Sequence, residues 1–210
     1  MINLRSEVIK YAKMLNAKNL SALRSGNISV RYKDGFLITP SGAKYSLLKN
    51  KDIVFVSLKG YFDKKKGIPS SEWRFHQDIY KNKMEAKAIV HAHSNCATAI
   101  STHGKEIPAF HYMVAMAGGN DIKCAKYATY GTRELSKNIL KALKQRNACL
   151  IGNHGQIAFS ENLSKAFELA EEVENLSNQY IKALKIGEPK ILSSKDMSKV
   201  LSKAKNYKRG

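Results

Sequence analysis

The Asp34-Gly35 pair, set between two short β-branched and aromatic runs, limits the architectures open to this chain more than any other feature. Ile28 to Tyr32 and Phe36 to Ile38 are separated only by Lys33-Asp34-Gly35. That gap is too short for a crossover, so the runs pair as an antiparallel hairpin with the Asp-Gly pair supplying its turn. A sheet made only of parallel strands is therefore disfavoured. No Gly-x-Gly-x-x-Gly or P-loop pattern appears, which removes the usual markers of a nucleotide-binding fold.

Helical and strand periodicities alternate irregularly around the hairpin. Leu4, Val8, Tyr11 and Leu15 recur at helical spacing, and Ile53 to Leu58 reads as a further strand. Ser70 or Ser71 is placed to cap a helix through Trp73, His76, Ile79 and Tyr80, with Glu72 in its first turn. The run Ala88 to His93 is a strand, Ser94 to Ser101 a short helix, and Leu135, Ile139 and Leu143 mark another helix. Ala148 to Ile151 and Gln156 to Phe159 form strands hinged at Gly152-Asn-His-Gly155. A last long helix runs from Leu163 to about Leu184 and stops at Gly187-Glu-Pro189. The expected fold class is α/β, a single-domain layered fold with a mainly antiparallel central sheet flanked by helices. At 210 residues the chain fits one domain, with residues 193–210 as a basic C-terminal tail.

Within this frame the histidines carry the chemistry. His91 and His93 lie on one face of their strand, because successive side chains alternate. His154 stands between glycines in the strand junction, and Glu72 follows Pro69-Ser-Ser71. Three imidazoles and a carboxylate read as one divalent-metal site. Imidazole suits zinc better than magnesium or calcium, and catalytic zinc sites commonly combine three protein ligands with an exchangeable position. An isolated His-x-His is equally compatible with a satisfied pair of buried histidines, and Glu72 alone with a carboxylate favoured by a helix dipole.

Ser25-Gly-Asn-Ile-Ser29, Thr39-Pro-Ser-Gly42 and Ser70-Ser71 combine small residues with hydroxyl or amide donors, as phosphate-binding segments do. Each by itself also fits an ordinary turn. A zinc ion held by neutral imidazoles can polarise a carbonyl and stabilise an enediolate without another cofactor. Glu72 is then the base that takes a proton from the carbon beside the carbonyl. Tyr112 in His111-Tyr-Met113 is a candidate proton donor or acceptor, and equally a core or interface tyrosine.

Charge and cysteine content bound the alternatives. The net charge of +19 would suit nucleic-acid binding, but the lysines are scattered. The densest runs, Lys64 to Lys66 and Lys203 to Arg209, lack stacking aromatics or a recognised motif. A Lys-rich composition, or a positive field suited to an anionic substrate, explains the charge without nucleic acid. Cys96, Cys124 and Cys149 are odd in number and widely spaced, so they are expected as small buried residues rather than disulfides or zinc thiolates. Charges through Met1 to Leu20 leave no signal peptide or membrane span, and a cytoplasmic location is expected.

The motifs together resemble the class II aldolase/adducin family. The resemblance is carried by Ser25 to Tyr32, Leu37 to Gly42, Pro69 to His76, Val90 to His93, His111 to Met113, Ala117 to Asn120, Tyr130 to Leu135 and Asn153 to Gly155. It spans nearly the whole chain and is nearest to the fuculose-phosphate branch. It implies one Zn²⁺ per subunit on His91, His93 and His154, with Glu72 ligating at rest and acting as acid/base with substrate. It also implies phosphate binding by Gly26, Asn27, Ser41, Gly42, Ser70 and Ser71. Tyr112 would act from a neighbouring subunit in a homotetramer whose active sites lie at subunit interfaces. The implied reaction is retro-aldol cleavage of L-fuculose 1-phosphate to dihydroxyacetone phosphate and L-lactaldehyde. Sugar-phosphate 4-epimerases and methylthioribulose-1-phosphate dehydratases share parts of the pattern, but epimerases usually carry Asp where Glu72 stands. An adducin-like scaffold would need none of the four ligands.

Overall fold

The computed structural model describes residues 3–207; Lys208 and Arg209, the end of the basic tail, lie outside the described residues. Helix α1 (Leu4–Ala17) leads into strands β1 (Asn27–Tyr32), β2 (Gly35–Ile38) and β3 (Val54–Ser57). Helix α2 (Trp73–Asn82), strand β4 (Ala88–Ala92) and helix α3 (Asn95–Ser101) follow. Short strands β5 (Ile107–Pro108), β6 (Asp121–Ile122) and β7 (Cys124–Ala125) flank a 3-10 helix at Tyr112–Ala117. The remainder is α4 (Arg133–Ala142), β8 (Ala148–Ile151), β9 (Gly155–Ser160), α5 (Leu163–Ile186) and α6 (Ser194–Tyr207).

Seven strands form one sheet in the order β3-β2-β1-β4-β9-β8-β7, antiparallel except for the β7/β8 pair. Both faces are covered, so side chains divide between two cores by period two. Ile28, Val30, Leu37, Ala88, Val90, Leu150 and Ala158 join the core beneath α1, α3 and α5. Phe36, Ile38, Val56, Ile89, Cys149, Ile151, Ile157 and Phe159 face α2 and α4. His91 has the parity of Ile89 and so belongs to the second face, at the end of β4 where that core stops. Burial of each large apolar side chain contributes about 1.5–3 kcal/mol, enough to hold this polar residue where solvation alone would not.

Three details differ from the sequence expectation. The hairpin turn is made by Lys33 and Asp34, with Lys33 at φ 50°, while Gly35 already pairs with Tyr32 as the first residue of β2. A Cβ on Gly35 would lie 2.2 Å from the Val56 carbonyl oxygen, so this glycine serves close strand approach rather than turn geometry. The N-cap of α2 is Glu72, not Ser70 or Ser71, and its side chain makes no capping hydrogen bond. Of the cysteines only Cys149 is buried; Cys96 and Cys124 are partly exposed, and all three are free thiols. In the C-terminal segment α6 packs against the 3-10 helix and buries Met197. No helix among the described residues is long and apolar enough to cross a membrane.

Candidate metal centre and anion cleft

Four chain segments converge at the end of β4. His91 sits on the strand; its Nδ1–H donates to the Gln156 carbonyl oxygen at 2.8 Å, since that oxygen can only accept. Its Nε2 lone pair is thereby aimed outward. His93 follows the strand, its backbone N–H held by Ser21 Oγ at 3.0 Å. His154 arrives on the β8/β9 turn, closed by its own N–H to the Ile151 carbonyl at 3.0 Å and by Asn153 at φ 52°. A Cβ on Gly155 would stand 2.4 Å from the Ala92 carbonyl oxygen, so only glycine lets this turn lie against β4.

Glu72 completes the cluster. Its carboxylate leaves the helix end and lies with Oε2 3.2 Å from His91 Nε2 and Oε1 3.3 Å from His154 Nε2. His91 Nε2 and His93 Nε2 are 2.9 Å apart, and all four ligand atoms lie within 4.8 Å of one another. A tetrahedral site with arms of about 2.0–2.1 Å has edges of roughly 3.3–3.4 Å; the 3.3 Å from Glu72 Oε1 to His154 Nε2 is close to this, and the 2.9 Å between His91 and His93 is shorter. Although near His154, Glu72 Oε1 is buried without a hydrogen-bond partner within the chain. A buried, unsatisfied carboxylate oxygen beside three imidazoles fits a divalent cation.

The electrostatics match that role. Burial lowers the His93 pKa to about 3 and the His154 pKa to about 4, with the nearby His91 ring disfavouring a second proton in both. Both rings are neutral lone-pair donors at neutral pH. Burial works against ionisation of Glu72, but its electrostatic interaction with His91, then with His154, and the donated Asn27 amide together bring its pKa down to about 2. It is a carboxylate throughout the physiological range.

The expected anion segments meet the same cluster. The Thr39–Gly42 and Pro69–Ser71 loops are stitched together by Ser41 N–H to Ile68 O and Ser70 N–H to Thr39 O, both 3.0 Å, with a bridge between Pro40 and Pro69. Gly26, Asn27, Ser41, Gly42, Ser70 and Ser71 all line one cleft of about 380 Å³, together with Glu72, His93 and His154. Gly42 stands at φ +66° with open space on its Cβ side. Arg24, missed in the sequence reading, also lines the cleft and donates to the Gly42 carbonyl at 3.0 Å. Its one sequence signal was a lone cation immediately before Ser25-Gly-Asn27. Tyr127 and Tyr130, both largely exposed, stand in the same lining. Asn27 has a second attachment that spacing could not show: its Nδ2 donates to Glu72 Oε2 at 2.9 Å. Tyr112 is 53 % exposed on the 3-10 helix and is not among the residues lining the cleft.

Fold and site define an α/β protein with a His₃Glu cluster able to hold a divalent metal, opening into a polar cleft. Residues 6–181 match the family described as Class II Aldolase and Adducin N-terminal domain. The chain is 47 % identical over 206 residues to a 5-methylthioribulose-1-phosphate/5-deoxyribulose-1-phosphate aldolase of Rhodospirillum rubrum, covering 98 % of this chain and 93 % of that protein. It is 46 % identical over 205 residues to the L-fuculose phosphate aldolase of Escherichia coli K12, covering 97 % and 95 %. A solved structure of an L-fuculose 1-phosphate aldolase superposes with a TM-score of 0.92 at 40 % identity, covering 96 % of this chain and 95 % of that one. The chain belongs to the class II aldolase/adducin family, and it is a lyase of the aldolase type.

Proposed function

We propose that this protein cleaves a ketose 1-phosphate between C3 and C4, releasing dihydroxyacetone phosphate, with L-fuculose 1-phosphate as substrate and L-lactaldehyde as the second product. The observation that carries the reading is the unsatisfied Glu72 Oε1 facing His154 at the floor of the cleft. His91, His93 and His154 would hold Zn²⁺, with Glu72 as a fourth ligand before substrate arrives. The ion supplies Lewis acidity toward the carbonyl oxygen of the sugar.

The chain's own groups do the rest. Gly26, Asn27, Ser41, Gly42, Ser70 and Ser71 bind the phosphate, with Arg24 adding a positive charge at the same wall. This fixes C1 and so sets the distance from C3 to Glu72. The carboxylate keeps one oxygen on the Asn27 amide and leaves Oε1 to carry a proton to or from C3. The proton on the C4 hydroxyl leaves through Tyr112. One proton departs from C4 and one arrives at C3, so the substrate's proton count is unchanged. Because Tyr112 is exposed and outside this cleft, it serves the site of a neighbouring copy, as in a homotetramer with sites at its interfaces.

A second reading concerns only the far end of the sugar. The Rhodospirillum rubrum relative is named for 5-methylthioribulose 1-phosphate and 5-deoxyribulose 1-phosphate, ketose 1-phosphates that differ from fuculose 1-phosphate beyond C3. The same bond cleavage then yields a different aldehyde. Incubating the zinc-loaded protein separately with the three sugar phosphates, coupled to glycerol-phosphate dehydrogenase, tests both readings. NADH consumption fastest with L-fuculose 1-phosphate is expected. A faster rate with a 5-substituted ribulose would replace the substrate assignment, and no consumption with any of them would overturn the aldol cleavage.

A further inference from the structure

Behind Glu72 a buried polar chain runs through the second core. Asn27 Nδ2 donates to Glu72 Oε2 at 2.9 Å, His76 Nε2 lies 2.5 Å from Asn27 Oδ1, and His76 Nδ1 lies 2.7 Å from Ser29 Oγ. Ser29 Oγ in turn lies 2.8 Å from the Tyr80 hydroxyl. The direction of every proton in the chain follows from its one fixed end. An ionised carboxylate only accepts, so Asn27 must turn its NH₂ toward Glu72 and its carbonyl oxygen toward His76. That oxygen also only accepts, so His76 carries its proton on Nε2. A ring that is neutral, as burial with a pKa lowered to about 3 requires, then accepts at Nδ1 from Ser29, and Ser29 accepts from Tyr80. The ring is fully buried, stacked on Phe75 at 4.8 Å and facing Phe36 at 6.5 Å, so it has no other orientation to adopt.

We propose that His76 is the positioning residue of the metal centre: its Nε2–H locks the Asn27 amide with its donor toward Glu72 Oε2, which holds the carboxylate with Oε2 beside His91 and the unpartnered Oε1 beside His154. Without that lock the amide can invert and set its oxygen against the carboxylate, and Glu72 then loses its orientation. The inference rests on Glu72 belonging to a metal centre, as read above, but not on which sugar is cleaved. Its magnitude follows from the general cost of removing a partner that orients a ligand, about 10–100-fold in metal affinity or activity.

Two substitutions of similar polarity separate positioning from mere core support. In His76→Gln the amide nitrogen sits at the same remove along the side chain as Nε2 and can still donate to Asn27. In His76→Asn it sits where Nδ1 was and reaches only toward Ser29. Metal-free protein is titrated with Co²⁺ alone against a chromophoric chelator, and the visible absorption of the complex is recorded. His76→Asn is expected to bind Co²⁺ about 10–100-fold more weakly with altered absorption bands, and to lose kcat with KM little changed. His76→Gln is expected to restore most of the affinity, the spectrum and the turnover. Equal behaviour of the two variants, or wild-type affinity and spectrum in His76→Asn, overturns the proposal. If His76→Asn does not fold, Ser29→Ala decides: it removes the hydroxyl that bonds Nδ1 and holds the ring against Asn27, so a smaller change of the same sign is expected and unchanged Co²⁺ binding overturns the idea. Wild-type protein that takes up no Co²⁺ would overturn the metal reading and this inference with it.

Discussion

The metal cluster and the Tyr112 segment stand in opposite relations to the rest of the chain. Glu72 and His91 are buried and His93 and His154 partly so, and hydrogen bonds hold each: the Gln156 carbonyl takes His91 Nδ1–H, Ser21 Oγ takes His93 N–H, the Ile151 carbonyl takes His154 N–H, and the Asn27 amide donates to Glu72. Tyr112 lies 53 % exposed on a short 3-10 helix, outside the cleft. The four candidate ligands come together within one fold, whereas the tyrosine stands outside the cleft beside them. The difference teaches how the proposed reaction would divide: the arms for cation and phosphate would be set by the core, and the proton relay at the far end of the sugar would depend on a second copy.

The sharpest break in that comparison comes from the cluster itself. Removing metal with a strong chelator should abolish cleavage, and Zn²⁺ should restore it; undiminished turnover in metal-free protein would remove the cluster from catalysis. Glu72→Gln should keep the ion yet lower kcat by about 10²–10⁴-fold, the usual range for a lost acid/base group, as read by coupled assay and metal analysis together. Tyr112→Phe should fall at the lower end of that range. Mixing it with Glu72→Gln after partial dissociation should recover part of the activity, because mixed assemblies contain some intact sites. Recovery that never appears would place Tyr112 in its own chain's site or outside catalysis.

Arg24→Ala should act on the wall that both regions would share, raising KM about 5–30-fold, equivalent to about 1–2 kcal/mol of lost charge-assisted hydrogen bonding. A larger loss in kcat than in KM would assign Arg24 to the chemistry rather than to the phosphate. A last effect is on stability. His76, His93 and His154 have folded pKa values lowered to about 3, 3 and 4, below the unfolded value of 6.5. The unfolded chain therefore binds more protons, so their contribution is complete above about pH 6.5 and is lost as pH falls toward about 3. Metal-free protein should melt at lower temperature at pH 5 than at pH 7.5, and saturating Zn²⁺ should raise the midpoint at both. A midpoint flat with pH would contradict the burial of neutral rings.

The parts that were readable from sequence are those whose physics is local. His91 and His93 share a face because strand side chains alternate, and the ends of α1 and α5 follow from helical spacing and from Gly187. Gly155 beside His154 was readable as a close approach of backbone to backbone, which here brings the turn against β4. Other features depend on contacts between distant segments and leave no periodic trace. Asn27 reads as a phosphate residue by composition, yet its amide is bonded to Glu72 and accepts from His76, residues 45 and 49 positions away. Arg24 gains meaning only when the loop carrying Gly42 folds over it. Strands β5, β6 and β7 have two residues each, too few to show a period. The role of Gly35 depends on β3 lying beside it.

Anomalous scattering at the zinc absorption edge, from crystals of the zinc-loaded protein, tests the central claim most directly. One peak is expected within about 2.0–2.2 Å of ring nitrogens of His91, His93 and His154 and of a Glu72 oxygen. An ion bound elsewhere, or no peak between these rings at saturating zinc, would contradict the account.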